Sequence, residues 1–156
     1  MIMSRIAEAL QSIAATLWAG GLWVTGFVVA PVLFARLEDR ALAGLIAGKL
    51  FSLMAWIGIA CALYLIIFRF ARYGGTAFRQ GLLWVVLLML LLACAGEFGV
   101  QPVMAALKAQ ALPQQVMESL LRDRFATWHG VASALYVLQC LLAAVLVILL
   151  NRKNNL

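Results

Sequence analysis

Few residues of this 156-residue chain could do chemistry, and four of them are placed to act together: Lys49, Glu97, Gln101 and His129. An ionisable side chain within an apolar run is costly to hold there and marks function by default. Glu97 and His129 are an acid and a base, and a histidine beside a carboxylate titrates near neutral pH, as proton coupling or general acid–base chemistry requires. Such a group suits a proton, a metal ion or a small polar solute. The plainer reading is structural. Glu and Lys near helix ends extend to headgroups, and a lone His can simply bond a backbone carbonyl.

Other chemistries find less support. Tight zinc sites want about four ligands, usually closely spaced Cys and His, and the chain has neither CxxC nor HxxxH. Met54, Met89, Met104, Met117, Cys61, Cys94 and Cys140 are soft ligands that could hold copper, yet none is paired at ligand spacing. The three cysteines are too few and too dispersed for a disulfide framework and read as small buried hydrophobes. A single His excludes bis-histidine haem. GxSxG, Walker and GxGxxG patterns are absent, so a soluble-type enzyme is not expected, and neither is a cofactor.

The elements that must position the four residues follow from composition. The chain is 66% apolar and 12% charged, with a mean hydropathy of +1.03. Soluble domains run nearer 45–50% apolar and about 25% charged, so the excess must face lipid. The charged residues leave four long gaps, 9–35, 50–68, 80–96 and 125–151. A spanning helix needs about 20 residues, and the runs lack the alternation of barrel strands. The expected fold is an all-α integral membrane bundle of four helices, one domain with spans near 10–35, 48–68, 80–99 and 126–150. The first gap is too long for the roughly 7–15 apolar residues of a secretory signal, so the first helix is expected to be retained.

Four spans put both termini at one end of the bundle. Glu97 lies 18 residues after Arg79, about 27 Å along the third helix, and His129 enters the fourth span from that same far end. Lys49 opens the second span there. Topology alone thus gathers Lys49, Glu97, Gln101 and His129 at the end opposite the termini. Gly96, Gly99 and Pro102 surround Glu97 and predict irregular backbone able to line a cavity. Lys and Arg divide evenly between the two ends, with Arg69, Arg72 and Arg79 assigned to a loop on the terminal side, while acids accumulate at the far end. With the positive residues tied, the acids tip the expectation toward termini in the cytoplasm, although orientation follows positive residues far more than acids. The net charge of +6 forms no basic patch, so no nucleic-acid partner is expected.

The connections carry pattern too. Leu37, Leu42, Leu45 and Ile46 fall at helical spacing, so the second span is expected to begin as a longer helix projecting from the membrane. In 113–125, Pro113 suits a first helical position and Met117, Leu120, Leu121 and Phe125 share a face, predicting a short interfacial amphipathic helix before the last span. Gly20, Gly21 and Gly26, the Gly44/Gly48 pair, and Gly58 with Ala62 permit close helix packing, within the bundle or against a second copy. Trp84 and Trp128 fall where interface anchors do, and Trp23 is expected in the core with a partner for its indole N–H. No internal repeat is evident.

The strings GGLWVTGFVVAPVLF (20–34), GKLF (48–51), EFGVQPVMAALK (97–108) and FATWHGVAS (125–133), in register with four spans, together resemble the transmembrane protein 205-like family, domain of unknown function 4149. The resemblance implies a small four-helix integral membrane protein, bacterial in its compactness and so of the inner membrane. It maps recurring positions onto Trp23, Thr25, Lys49, Glu97, Pro102, Phe125, His129 and Gly130. The first helix is also distantly similar to copper-resistance CopD-like membrane proteins, whose His or Met pairs this chain lacks. The leading expectation is a far-end site that binds or passes a small solute, proton or metal ion. The alternative is a non-catalytic scaffold whose helices contact lipid, a second copy or a partner membrane protein.

Overall fold

The computed structural model describes residues 2–111 and 119–154, which fold as an all-α bundle with four helices long and apolar enough to cross a membrane. The first, α1, is α-helical over Ile2–Val24, π-helical over Thr25–Val29 and α-helical again over Ala30–Arg36. It stops where Leu37 turns extended. Asp39 then caps α2 (Arg40–Tyr73), its Oδ1 accepting from the backbone N–H groups of Ala41 and Leu42 at 2.8 and 3.1 Å. A side-chain acceptor at this position satisfies donors that a helix start leaves open. With 34 residues, α2 is about 51 Å long, well beyond the roughly 30 Å hydrocarbon core, as the pattern at 37–46 predicts.

Gly74, at φ +52°, ends α2 and opens the 3-10 turn Gly74–Arg79. Arg69 is therefore not a loop residue. It sits in α2, 2% exposed, with its Nη1 donating to Gln80 Oε1 at 2.9 Å and its guanidinium 5.5 Å from the centre of the Tyr73 ring. The third helix, α3, comprises Gly81–Cys94, the π-helix Ala95–Val100 and Gln101–Ala111. The last, α4, runs from Ser119 to Asn154. Of the predicted interfacial helix, residues 112–118 lie outside the described residues, and from Ser119 the chain already belongs to α4.

Both π segments have one cause. A proline inside a helix removes an N–H, and its ring collides with the carbonyl four residues back. Pro31 and Pro102 each stand two residues beyond a π segment, and the residues before them bond five back: Ala30 N–H to Thr25 O, and Gln101 N–H to Gly96 O. The widened turn absorbs the misfit without a break. Aligning the two prolines exposes a short repeat, Phe27-x-Val29-x-Pro31-Val32 against Phe98-x-Val100-x-Pro102-Val103. The sequence is thus not free of internal repetition. The repeat is only a few residues long and becomes visible once the shared helix geometry picks it out.

The helices run up and down in order, and each packs on its two neighbours in a ring: α1 on α2, α2 on α3, α3 on α4 and α4 on α1. The main apolar core lies toward the terminal end and includes Trp18, Leu22, Leu65, Leu82, Val86, Met89, Ala143 and Leu146. Trp18, not Trp23, is the core tryptophan: Trp18 is fully buried, whereas Trp23 is 38% exposed and donates Nε1–H to Cys140 O at 3.1 Å. Tyr136 of α4 donates its hydroxyl to Leu22 O at 2.7 Å and lays its ring against Gly26. These two bonds fix the register of α1 on α4. Leu17, Phe27, Trp56, Ile67, Leu91 and Leu141 are more than half exposed and form the apolar outer surface that lipid requires. Cys61 and Cys140 are buried and Cys94 half-buried, all with free thiols.

Small residues matter where a neighbour occupies the missing side chain's place. A Cβ on Gly58 would collide with Trp18 Nε1, and one on Gly21 with Met54, whereas Gly20 faces open space. Overpacking a filled core costs about 1–3 kcal/mol, while Gly→Ala in an unobstructed helix gains about 0.5–1 kcal/mol. Gly58→Ala should therefore lower the thermal midpoint in detergent, measured by loss of helical circular dichroism, and Gly20→Ala should leave it equal or higher.

Candidate functional site

Beyond the apolar core, toward the end opposite the termini, α2 and α3 are joined by polar bonds. The α2 face there carries Gly44, Gly48 and Ser52 at intervals of four residues, one above another on a helix. Two lack side chains, so their carbonyl oxygens stand open to a neighbour. Descending α3 in the opposite sense meets them in order. Lys108 Nζ donates to Gly44 O at 3.3 Å, Gln101 Nε2 donates to Gly48 O at 3.2 Å, and Ser52 Oγ donates to Glu97 Oε1 at 2.5 Å. The rungs form an antiparallel ladder, with Glu97 innermost.

Glu97 lies 16 residues beyond Gly81, about 24 Å along α3, and so within the hydrocarbon span near its far boundary. It stands on the π segment Ala95–Val100, a geometry that recurs at functional sites. Its two oxygens differ. Oε1 is held by Ser52, while Oε2 is buried with no hydrogen-bond partner. A buried acceptor left unpaired costs about 1–3 kcal/mol, and more when charged. A Cβ on Gly96 or Gly99 would meet no neighbour, and Gly99 is exposed on the outer surface of the bundle.

Of the four residues that sequence topology gathers at this end, the structure joins Glu97 and Gln101 to the same face of α2. Lys49 is not part of it. Although next to Gly48 in sequence, it is exposed and makes no hydrogen bond or ion pair among the described residues. His129 is also exposed. Its ring stacks on Phe125, centroids 6.0 Å apart and planes 7° apart, and Phe125 takes the Lys108 ammonium 5.9 Å from its own ring centre. No bond links His129 to Glu97. Among the packing glycines, Gly44 and Gly48 adjoin the ladder, with Gly48 3.7 Å from Lys108 Nζ if given a Cβ and Gly44 4.0 Å from Phe34.

Two members of the ladder escape a reading by charge alone. Ser52 is neutral, and its signal is the continuation of the Gly44/Gly48 period by one more small residue. Lys108 looks like a loop charge until α3 is seen to continue to Ala111. Among the described residues no three His, Cys, Asp or Glu side chains converge as a metal would need. What the arrangement offers chemically is a single oriented carboxylate with one oxygen to spare, hydroxyl and carbonyl oxygens beside it, and no cationic side chain bonded to it.

Residues 13–113 match the family described as Domain of unknown function (DUF4149). The matched stretch takes in α1 from Ile13, all of α2 and all of α3, and stops short of α4. Three of the four recognisable strings fall within it, and the one at 125–133 lies beyond. No curated protein and no solved structure matches the chain. The match covers well over half of a chain whose four apolar helices are each long enough to cross a bilayer, and the protein belongs to the DUF4149 family.

Proposed function

We propose that the Glu97 site takes up a small hard cation, the proton included, from the far end of the bundle. The observation that carries this reading is the buried, donor-free Oε2 of an oriented carboxylate inside the membrane span. A carboxylate charge at such depth needs a positive partner. Lys49 and His129, the nearest candidates by sequence, do not supply it. Lys108 is bonded elsewhere, eleven residues and roughly three turns further out. Ser52 holds Oε1 and so orients the carboxyl, and Oε2 receives the cation. Lys108 and Gln101 tie α3 to α2 beyond the site. They keep the acid in place without neutralising it.

Selective chemistry can test this. In phospholipid vesicles, a hydrophobic carbodiimide should modify Glu97, because that reagent attacks a carboxyl that takes up a proton within the bilayer. A water-soluble carbodiimide should instead find the exposed Glu8 and Glu38. Peptide mapping by mass spectrometry reads the adducts, and Glu97→Gln should lose the bilayer adduct while retaining helix content and yield. Complete inertness of Glu97 from mildly acidic to mildly alkaline pH would make it a sealed structural acid and overturn the proposal.

We further infer a multi-pass protein with its termini in the cytoplasm. Lys and Arg divide evenly between the ends, so this orientation rests on the acids, five of which oppose the far-end cations while only Glu8 lies at the terminal end. Single cysteines at Thr76 and Glu38, both exposed and at opposite ends, should differ in intact cells. A membrane-impermeant maleimide should label Glu38→Cys and spare Thr76→Cys; the reverse pattern would invert the topology.

A further inference from the structure

At the terminal end of the bundle, where α2 turns into α3, a buried cation stands with no anion beside it. Arg69 is 2% exposed, its Nη1 donates to Gln80 Oε1 at 2.9 Å, and its guanidinium lies 5.5 Å from the centre of the Tyr73 ring. Its Nε is buried with no hydrogen-bond partner among the described residues. The one ion pair among those residues joins Arg72 to Glu8 and leaves Arg69 out. A guanidinium taken out of water needs a negative partner. A neutral amide and an aromatic face do not supply one.

The backbone that Arg69 is tied to carries positive charge as well. Gln80 is the N-cap of α3, extended at φ −98° and ψ 121°, and its side chain makes no capping bond. Leu83 N–H bonds back to Gln80 O at 3.1 Å, whereas the N–H groups of Gly81 and Leu82, the first two of the helix, have no acceptor among the described residues. Open donors at a helix start carry about half a positive charge and suit an anion. The end of α2 at Tyr73 brings about as much negative charge, so the two helix ends roughly cancel and the guanidinium is left over. Gly81 is exposed, a Cβ on it would meet nothing, and the exposed Arg79 stands just before the cap. Trp84 is also exposed and donates Nε1–H to Phe78 O at 3.0 Å, as a tryptophan at the headgroup boundary does. The open donors thus stand at the level of lipid phosphates.

We propose that the start of α3 is a phosphate-binding site at the membrane surface. The phosphate oxygens accept from the Gly81 and Leu82 N–H groups, and Arg79 reaches them from the exposed side. Arg69 supplies fixed positive charge from behind Gln80, where low polarity strengthens its attraction. Its bond to Gln80 holds that charge to the residue from which the helix starts. A phosphate monoester offers the same oxygens whether it heads a lipid or comes from solution. The site lies at the end opposite Glu97, takes the opposite charge, and stands independently of the cation reading.

Native mass spectrometry of the full-length protein in detergent, titrated with dioleoylphosphatidic acid or dioleoylglycerol, tests this by resolving each bound lipid. The phosphatidic acid should bind at least about tenfold more tightly than the diacylglycerol, which has the same tails and no phosphate. Arg69→Gln should lose most of that preference. Because a change at a buried residue can unsettle the fold, Gly81→Pro serves as the second variant. The extended cap suits a following proline, and proline at the first helical position removes one N–H and no charge. It should weaken phosphatidic acid binding at least about threefold and leave diacylglycerol binding unchanged. Arg5→Gln, which removes an exposed cation of α1 at the same end, should change neither. Inorganic phosphate replacing chloride at constant ionic strength separates the two sources: displacement of the lipid marks a site open to phosphate in solution, and its absence assigns the site to headgroups. Equal affinity for the two lipids, or a preference undiminished in both Arg69→Gln and Gly81→Pro, would overturn the site. An equal loss in Arg5→Gln would reduce the preference to diffuse charge and overturn it too.

Discussion

How closely α3 can approach α2 decides what the far end of this bundle is. In lipid there is no hydrophobic drive between helices, so association depends on close packing and on polar bonds made across the contact. Gly44 and Gly48 remove side chains from one face of α2, and their carbonyl oxygens then come within reach of Gln101 and Lys108. Ser52, one step further along the same face, is short enough to leave room for a carboxyl and polar enough to bond it. With bulkier residues at 44 and 48, the ladder would lose its acceptors, and Glu97 would lose the neighbour that orients it.

A second constraint, the need to keep backbone groups bonded inside a membrane, shapes the same region. Pro31 and Pro102 each deprive a helix of one donor, and each helix answers with a π segment in place of a break. The two widened turns lie at corresponding positions of α1 and α3, which run in the same direction. Their contents differ, however. Gly26 of α1 is covered by the Tyr136 ring, whereas the aligned position in α3 is Glu97. One widened turn is plugged by an aromatic side chain, and the other carries an acid bonded to Ser52.

The bundle is divided along its length. Toward the termini, Trp18 against Gly58, with Leu65, Val86 and Leu146, makes a conventional apolar core. Toward the far end, half-buried polar groups accumulate, namely Ser52, Glu97, Gln101 and Tyr136, together with the buried Gln139. The first half supplies the rigidity against which the second can hold unpaired oxygens, because a locally strained or unsatisfied site persists only where the surrounding structure over-determines it.

By itself, the sequence determined the four spans, the up-and-down order, the projecting start of α2 and the depth of Glu97 in α3. Each follows from the length of an apolar run or the rise of a helix, which are local quantities. It also determined that Lys49, Glu97, Gln101 and His129 share one end. Only the tertiary structure decided which of them meet, because rotation about each helix axis is set by packing against neighbours. That rotation turns Glu97 and Gln101 to α2 and sends Lys49 and His129 outward. It places Arg69 inside the bundle although charge counting put it in a loop, and it exchanges the expected burial of Trp23 for that of Trp18. Ser52 carries no charge and so leaves no mark on a map of ionisable residues. Its importance comes from the carboxyl it confronts, and that relation exists only once the helices are packed.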